Sequence, residues 1–86
     1  MAEEKLIGKV THYFPKVSAA IVKLEDNLRV GDKIKFKHKE DEFEQEVTSM
    51  QIDHKAIDMA NKGDMVGIKV ERKVKEGWEV YKIQEG

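Results

Sequence analysis

The stretch that decides the fold is Lys33–Glu46, KIKFKHKEDEFEQE, in which charged and other residues alternate. Lysines fill every second position of its first half, and glutamates fill every second position of its second half. Because successive side chains of a β-strand point to opposite faces, a period of two predicts two strands. We expect residues 38–41 to form the loop that joins them into a hairpin.

This loop fixes which residues of the two strands face each other. The expected charged pairs are Lys33–Glu46, Lys35–Glu44 and Lys37–Glu42, and Phe36 then faces Phe43 on the core side. We interpret the charges as an exposed ladder that fixes the register more than it adds stability. Contact of these lysines with RNA remains open as the alternative.

Outward from the hairpin, runs of β-forming residues predict a six-stranded protein. The six predicted strands are Leu6–Phe14, Ala19–Leu24, Lys33–Lys37, Phe43–Ile52, Met65–Val70 and Glu79–Ile83. The apolar phase changes within the fourth strand, which predicts a bulge or bend near Thr48 and Ser49. Only residues 56–60 suit a helical turn. Six short strands in so small a chain predict an all-β fold, a small closed six-stranded β barrel.

Composition limits the size and the partners of this barrel. The 86 residues allow one domain, predicted over residues 6–84 after a flexible tail at residues 1–5. With 16 Lys and Arg against 17 Asp and Glu, the chain lacks the strong positive charge of a dedicated nucleic-acid binder. No apolar run is long enough for a membrane span, so we expect a cytoplasmic protein. Abundant Lys and Glu with few Asn and Gln favour a thermostable one.

Residue patterns of catalytic and metal sites are scarce in this sequence. His12, His38 and His54 have no spacing that suits a shared metal, and the absence of cysteine excludes thiol ligands. No nucleophile elbow and no phosphate loop are present. We therefore predict no enzymatic activity, no catalytic residues, no metal, no cofactor and no nucleotide binding by this chain alone.

Two Gly-Asp pairs precede β-forming runs, at residues 31–32 and 63–64. Each glycine can adopt the positive φ of a tight turn, and each aspartate can accept a hydrogen bond from backbone amides just beyond it. We interpret both pairs as turns rather than as binding sites.

The order of three segments suggests a family. Residues 28–34 read LRVGDKI, residues 47–55 read VTSMQIDHK, and residues 60–67 read ANKGDMVG. In this order they resemble the second, β-barrel domain of translation elongation factors such as elongation factor Tu. Residues 13–20, YFPKVSAA, also look like the start of freestanding elongation-factor-like proteins, and of a C-terminal barrel in some collagenase-like peptidase family members linked to RNA modification.

The resemblance implies a site as well as a fold. In elongation factor Tu, this barrel helps to hold the terminal adenosine and the amino acid of charged tRNA, through an acidic residue and an asparagine. Gln51 and Met65 stand at the matching positions of this sequence. Gln51 can hydrogen bond a ribose hydroxyl, whereas Met65 offers only a soft apolar surface.

Two hypotheses for function follow from the resemblance. The first is a non-enzymatic, translation-associated module that binds RNA, either tRNA or rRNA, through one face of the barrel. The alternative is a protein-interaction module that docks onto a GTPase or an RNA-modifying enzyme. Both use the same predicted RNA- or partner-binding residues: Gln51, His54, Lys55, Met65 and Gly67.

Overall fold

Strands make up all of the regular secondary structure in the computed structural model, which describes the backbone of residues 2–85 and the side chains of residues 3–84. In chain order they are β1 (Ala2–Phe14), β2 (Ala19–Leu24), β3 (Leu28–Arg29), β4 (Lys33–His38), β5 (Asp41–Glu46), β6 (Met50–Ile52), β7 (Lys55–Ile57), β8 (Met59–Ala60), β9 (Met65–Lys69) and β10 (Glu79–Glu85). The predicted all-β fold is confirmed. The strands are more numerous than the six expected. The predicted fourth strand is divided into β5 and β6 at residues 47–49, where the bend near Thr48 and Ser49 was expected, and β3, β7 and β8 were not predicted.

One eight-stranded sheet runs in the order β5-β4-β10-β1-β2-β9-β6-β7, and β3 pairs with β8 in a separate ribbon. Within residues 2–85, β5 and β7 each lack a neighbouring strand on one side, so the ladder is open and the predicted closed six-stranded barrel is not observed. The ribbon nevertheless links the two ends of the sheet. β8 follows β7 in the chain. Val47, directly after β5, exchanges main-chain hydrogen bonds of 2.8 Å with Gly31 and Asp32, which lie in the turn between β3 and β4.

The β4–β5 hairpin has the register that the charge alternation predicts. The pairs Lys33–Glu46, Lys35–Glu44, Lys37–Glu42 and Phe36–Phe43 all form. His38 also pairs with Asp41, so the connection is a two-residue turn rather than a four-residue loop. The Phe36 and Phe43 rings stack with their centroids 5.1 Å apart.

The ion pairs of β4 differ from the predicted ladder. Lys35 Nζ lies 3.1 Å from a carboxylate oxygen of Glu4 on β1 and 3.4 Å from one of Glu42, its diagonal neighbour. Among side chains 3–84, no ion pair joins Lys35 to Glu44, which lies directly opposite. The hydrogen bond to Glu4 is the main cause of a raised pKa of Lys35. The register is therefore confirmed, but the carboxylate nearest to Lys35 comes from β1, which lies two strands away across β10.

Two segments adopt structures that differ from expectation. Residues 56–60 belong to β7 and β8 instead of a helical turn. Residues 2–5, expected as a flexible tail, lie in β1 and pair with β10, where Glu4 faces Ile83 and Lys5 faces Lys82. These residues carry no apolar run, so backbone pairing rather than side-chain pattern makes them a strand. No helix in residues 2–85 is long and apolar enough to cross a membrane.

The buried residues form one apolar core beneath the sheet. Ala20, Val22 and Leu24 of β2 are buried, as are Val66 and Ile68 of β9, and their chain neighbours point outward. Each fully buried Val, Leu or Ile side chain contributes about 1.5–3 kcal/mol of transfer free energy. The alternation in β2 and β9 thus defines an inner and an outer face.

Three turns of the same geometry join the strands to this core. They are residues 29–32, 61–64 and 75–78, and the third residue of each is a glycine with φ of 99°, 92° and 92°. In each turn the amide of the fourth residue donates to the carbonyl of the first, over 3.1, 3.1 and 3.3 Å. A positive φ at the third position is what a type II turn requires, and glycine adopts it at little cost.

Each of these turns also binds one buried residue through two main-chain hydrogen bonds. The amide of the turn glycine donates to the carbonyl of the buried residue. The amide of the buried residue donates in return to the carbonyl of the fourth turn residue, and all six hydrogen bonds measure 2.8–2.9 Å. The buried residues are Val47, Leu24 and Val10, respectively. We call these three arrangements the turn bridges.

The Gly-Asp pairs belong to the first two turn bridges. The Asp32 and Asp64 carboxylates each accept a 2.9 Å hydrogen bond, from the amides of Arg29 and Asn61. The interpretation as turns agrees with this geometry, but the bonded amides lie three residues before each aspartate rather than beyond it. In the third bridge Trp78 takes the place of the aspartate, and its ring stacks on His38 with centroids 5.6 Å apart.

Gln45 makes a further link between the sheet end β5 and the segment after β9. Its amide nitrogen donates to Lys69 O over 2.7 Å, and its amide oxygen accepts from Glu71 N over 2.9 Å. Gln45 is only 6% exposed. Both polar atoms of this buried side chain are therefore satisfied by backbone groups on the other side of the core.

Replacing Gln45 by leucine keeps much of the volume but removes both hydrogen bonds. We expect Gln45→Leu to lower the free energy of unfolding by about 2–4 kcal/mol, because two backbone groups lose their partners. The exposed Gln51→Leu serves as the control and should change it by less than about 0.5 kcal/mol. Urea unfolding followed by Trp78 fluorescence measures both, and equal losses would contradict the role of Gln45.

Candidate docking face

Three of the five predicted site residues, Gln51, Met65 and Gly67, share the outer face of the large sheet, whereas Lys55 pairs with Ile52 and so faces the other way. Gln51 is on β6, Lys55 on β7, and Met65 and Gly67 on β9, while His54 is in the turn between β6 and β7. Asp53 and His54 have φ of 51° and 66°, the left-handed backbone of a tight hairpin turn. Gln51 and Gly67 are direct register partners. His54 and Lys55 stand apart from them, at the tip of the β6–β7 hairpin.

A row of uncharged or weakly basic residues crosses the outer face at Gly67. The register pairs join five strands in succession, β1, β2, β9, β6 and β7. The row reads His12, Ile21, Gly67, Gln51 and Ala56. We call it the central row.

Two shorter rows flank the central row. On one side Phe14, Ala19 and Lys69 are register partners, and on the other side Lys23 pairs with Met65. These five residues and the central row together form what we call the carboxylate-free face, because none of its ten members is Asp or Glu. Phe14 is 44% exposed and Met65 is 52% exposed, so the face is partly apolar at its surface.

Gly67 leaves a low point in the middle of the central row. A Cβ built on Gly67 would lie 3.5 Å from Ile21 Cδ1 and 3.8 Å from Gln51 O, which is ordinary van der Waals contact. Gly8 differs, because its Cβ would lie 2.6 Å from Lys23 O and 2.9 Å from Val22 Cγ1. The fold therefore requires glycine at position 8 but tolerates a side chain at position 67.

Seven of the ten residues of the face were not among the predicted site residues: His12, Phe14, Ala19, Ile21, Lys23, Ala56 and Lys69. His12 and Phe14 contact each other edge to face, with ring centroids 4.4 Å apart. The segment that holds Ile21 reads AAIVKL, in which Ile21 and Val22 are both apolar, so periodicity does not indicate which one points outward. Lys23, two residues after Ile21, was the available signal for the outer face of β2. In β1 the register shifts between Val10 and His12, so the period of two does not indicate that His12 and Phe14 point outward.

A shallow groove of mixed charge lies beside β4 and β5. Lys35, Glu42, Phe43, Glu44, Glu71 and Arg72 line it. The Arg72 guanidinium carbon lies 5.8 Å from the centre of the Phe43 ring, a cation–π contact. Among the described residues, no three His, Asp or Glu side chains come together in a way that could hold a metal ion.

Comparison with known proteins identifies peptidase-related relatives. No family model matches this chain. Over 80 residues, covering 92% of the chain, it is 41% identical to an uncharacterized protease of Methanocaldococcus jannaschii. The match spans only 20% of the length of that relative.

The solved structures that match this fold also come from a peptidase-related protein. The fold matches the crystal structure of the C-terminal domain of a protein assigned to the U32 peptidases, from Geobacillus thermoleovorans, with a TM-score of 0.84 and 25% identity. This match covers 91% of each chain. The selenomethionine form of that domain matches with a TM-score of 0.82 and 23% identity, over 88% of this chain and 96% of that chain.

These matches correct the resemblance to translation elongation factors. The relative is a protease and the matched structures are a peptidase C-terminal domain, so the elongation-factor assignment is wrong. The interpretation of the chain as a translation-associated, RNA-binding module is wrong for the same reason, and so is its alternative of docking onto a GTPase or an RNA-modifying enzyme. The likeness of residues 13–20 to a C-terminal barrel of a peptidase family points in the same direction as the matches.

Substitution by alanine distinguishes the two glycines. We expect Gly8→Ala to lower the free energy of unfolding by about 1–3 kcal/mol, because its Cβ overlaps backbone atoms of β2. Gly67→Ala should be neutral or stabilising by about 0.5 kcal/mol, since its backbone suits alanine and the unfolded chain loses freedom. Thermal unfolding of both variants tests this. A large loss for Gly67→Ala would mean that the fold itself requires this glycine.

Proposed function

We propose that this chain is an accessory docking domain of a U32-type peptidase, which binds the catalytic part of such an enzyme and catalyses no reaction itself. The observation that carries the proposal is the fold match, with a TM-score of 0.84, to the C-terminal domain of a protein assigned to the U32 peptidases. The 41% identity to one fifth of a longer protein named as a protease supports it.

The carboxylate-free face is the surface proposed for docking. Partly exposed Phe14 and Met65 offer apolar contact area, which protein interfaces use at their centres. Gln51 and Gly67 lie in the central row, and Met65 lies beside it. His54 and Lys55 lie at the tip of the β6–β7 hairpin, beyond the edge of the face, where they can contact only the rim of a partner.

The proposal also includes a barrel-like shape. Two sets of contacts support it. Val47 forms main-chain hydrogen bonds with the turn after β3, and the Gln45 side chain bonds to the backbone of Lys69 and Glu71 at the end of β9. Both sets connect the β5 edge of the sheet to parts of the chain that are not adjacent to β5 in the strand order. The curved sheet then presents the carboxylate-free face outward as a single surface. The absence of catalytic activity in this chain and its cytoplasmic location remain predictions.

Binding to a catalytic part tests the proposal. The probe is the Methanocaldococcus jannaschii relative with its matched 80 residues removed. Isothermal titration calorimetry should give saturable binding with one chain per catalytic part. Absence of heat at about 100 μM of both components, a concentration that would detect micromolar affinity, would contradict the proposed function.

A paired substitution then tests the location. Gly67→Gln places a long side chain in the central row without a steric conflict at Cβ, and we expect at least about tenfold weaker binding. Ser49→Gln adds the same side chain at an exposed position outside the face and should leave the affinity within about twofold. If both variants bind equally well, the docking surface lies elsewhere.

A further inference from the structure

The carboxylate-free face carries cations but no carboxylate among its own ten members. On the rest of the sheet Lys35 pairs with Glu4 and Glu42, Lys82 with Asp32, and Lys5 with Asp26. At the end of the central row, His12 Nδ1 lies 3.3 Å from a carboxylate oxygen of Glu76, which is outside the face. Lys23 and Lys69, like most Lys and Arg among side chains 3–84, have no ion-pair partner and are open to one from a bound protein.

Lys23 also has an unfavourable neighbour within the sheet. Its register partners are Lys9 on β1 and Met65 on β9. Like charges directly opposite each other on one face of a sheet destabilise the pair. The other register partner of Lys9 is Glu79, whereas neither register partner of Lys23 is an acid. A carboxylate supplied by a bound protein would relieve the repulsion at Lys23, and none of the ten residues of the face can supply it.

The positions of the two lysines define the width of the bound element. Lys23 pairs with Met65, whereas Lys69 pairs with Ala19, so four residues of strand separate them along the strand direction. At about 3.3 Å per residue this separation is about 13 Å. The central row runs midway between them. An α-helix with its side chains is about 10–12 Å across, so the two lysines can stand on either side of one helix.

The length of the central row agrees with the same element. The row crosses five adjacent strands, and strands lie about 4.8 Å apart, which gives a length of about 19 Å. A helix rises about 1.5 Å per residue, so about 13 residues cover the row. Gly67 at the centre allows the closest approach, and Ile21, Ala56 and Gln51 around it offer a mostly apolar floor.

We propose that the carboxylate-free face binds an amphipathic helix of the peptidase's catalytic part, with an apolar stripe on the central row and Asp or Glu side chains on both flanks that pair with Lys23 and Lys69. This inference rests on the proposed function and adds the chemistry of the docked segment. Partner carboxylates at these two lysines would form charge-assisted hydrogen bonds and set the orientation of the helix.

Charge reversal tests the helix flanks. With the same catalytic part as the probe, Lys23→Glu and Lys69→Glu should each weaken binding about tenfold, and wild-type binding should weaken as salt rises from about 50 to 500 mM. Lys73→Glu is the matched control, because Lys73 is exposed and lies outside the face. It should change the affinity less than about twofold.

A second probe keeps the inference independent of that enzyme. It is a synthetic amphipathic helical peptide of about 14 residues with an apolar stripe between two rows of Glu, compared with the same peptide carrying Lys for Glu. We expect fluorescence anisotropy to show binding of the Glu peptide only, weakened by Lys23→Glu. A further arm uses single-stranded poly(U) RNA, which should not compete.

The outcomes separate the two proposals. Binding of the catalytic part that is unaffected by Lys23→Glu and Lys69→Glu would overturn the acidic-helix inference and leave the proposed function standing. Failure of the catalytic part to bind, with the Glu peptide still bound through Lys23, would overturn the proposed function alone. Equal binding of both peptides, or displacement of the Glu peptide by RNA, would overturn the inference.

Discussion

The turn bridges are the constraint on which the rest of this structure depends. At each bridge a glycine with positive φ offers its amide to a buried residue, and that residue returns its own amide to the turn. A side chain at the glycine would cost about 1–2 kcal/mol of backbone strain. Because the bonded residues Val10, Leu24 and Val47 are all in the core, the same contacts fix strand ends and satisfy buried backbone groups.

Fixed strand ends have consequences for the surface. Leu24 is the last residue of β2, and its bridge to residues 61–64 sets where β9 begins beside it. This start determines that Gly67 lies opposite Ile21 and Lys69 opposite Ala19. The carboxylate-free face is therefore built by backbone contacts in the core, although its chemistry is entirely on the outside. Gln45 supports the other end of the sheet, with both of its amide atoms bonded to backbone.

Local features of the structure could be predicted from the sequence, and features that depend on distant pairing could not. The alternation around Phe36 and Phe43 predicts the β4–β5 register, because both strands and their turn are contiguous. The central row depends on the pairing of β2 with β9 and of β9 with β6, which side-chain periodicity does not specify. Gln51, Gly67 and Met65 were found through a family resemblance that was wrong. Two of the segments on which that resemblance was based, LRVGDKI and ANKGDMVG, contain the turns of the first two turn bridges. Their similarity therefore reflects a shared β-turn structure rather than a shared function.

Docking of a peptidase's catalytic part on the carboxylate-free face is the interaction that most needs a direct test. The most direct measurement is the change in amide NMR resonances of the chain when the catalytic part of the Methanocaldococcus jannaschii relative is added. We expect the largest changes at Ile21, Gly67, Gln51 and Ala56, with little change at Phe43 and Arg72 in the groove beside β4 and β5. Changes concentrated at Phe43 and Arg72, with the central row unaffected, would contradict docking on this face.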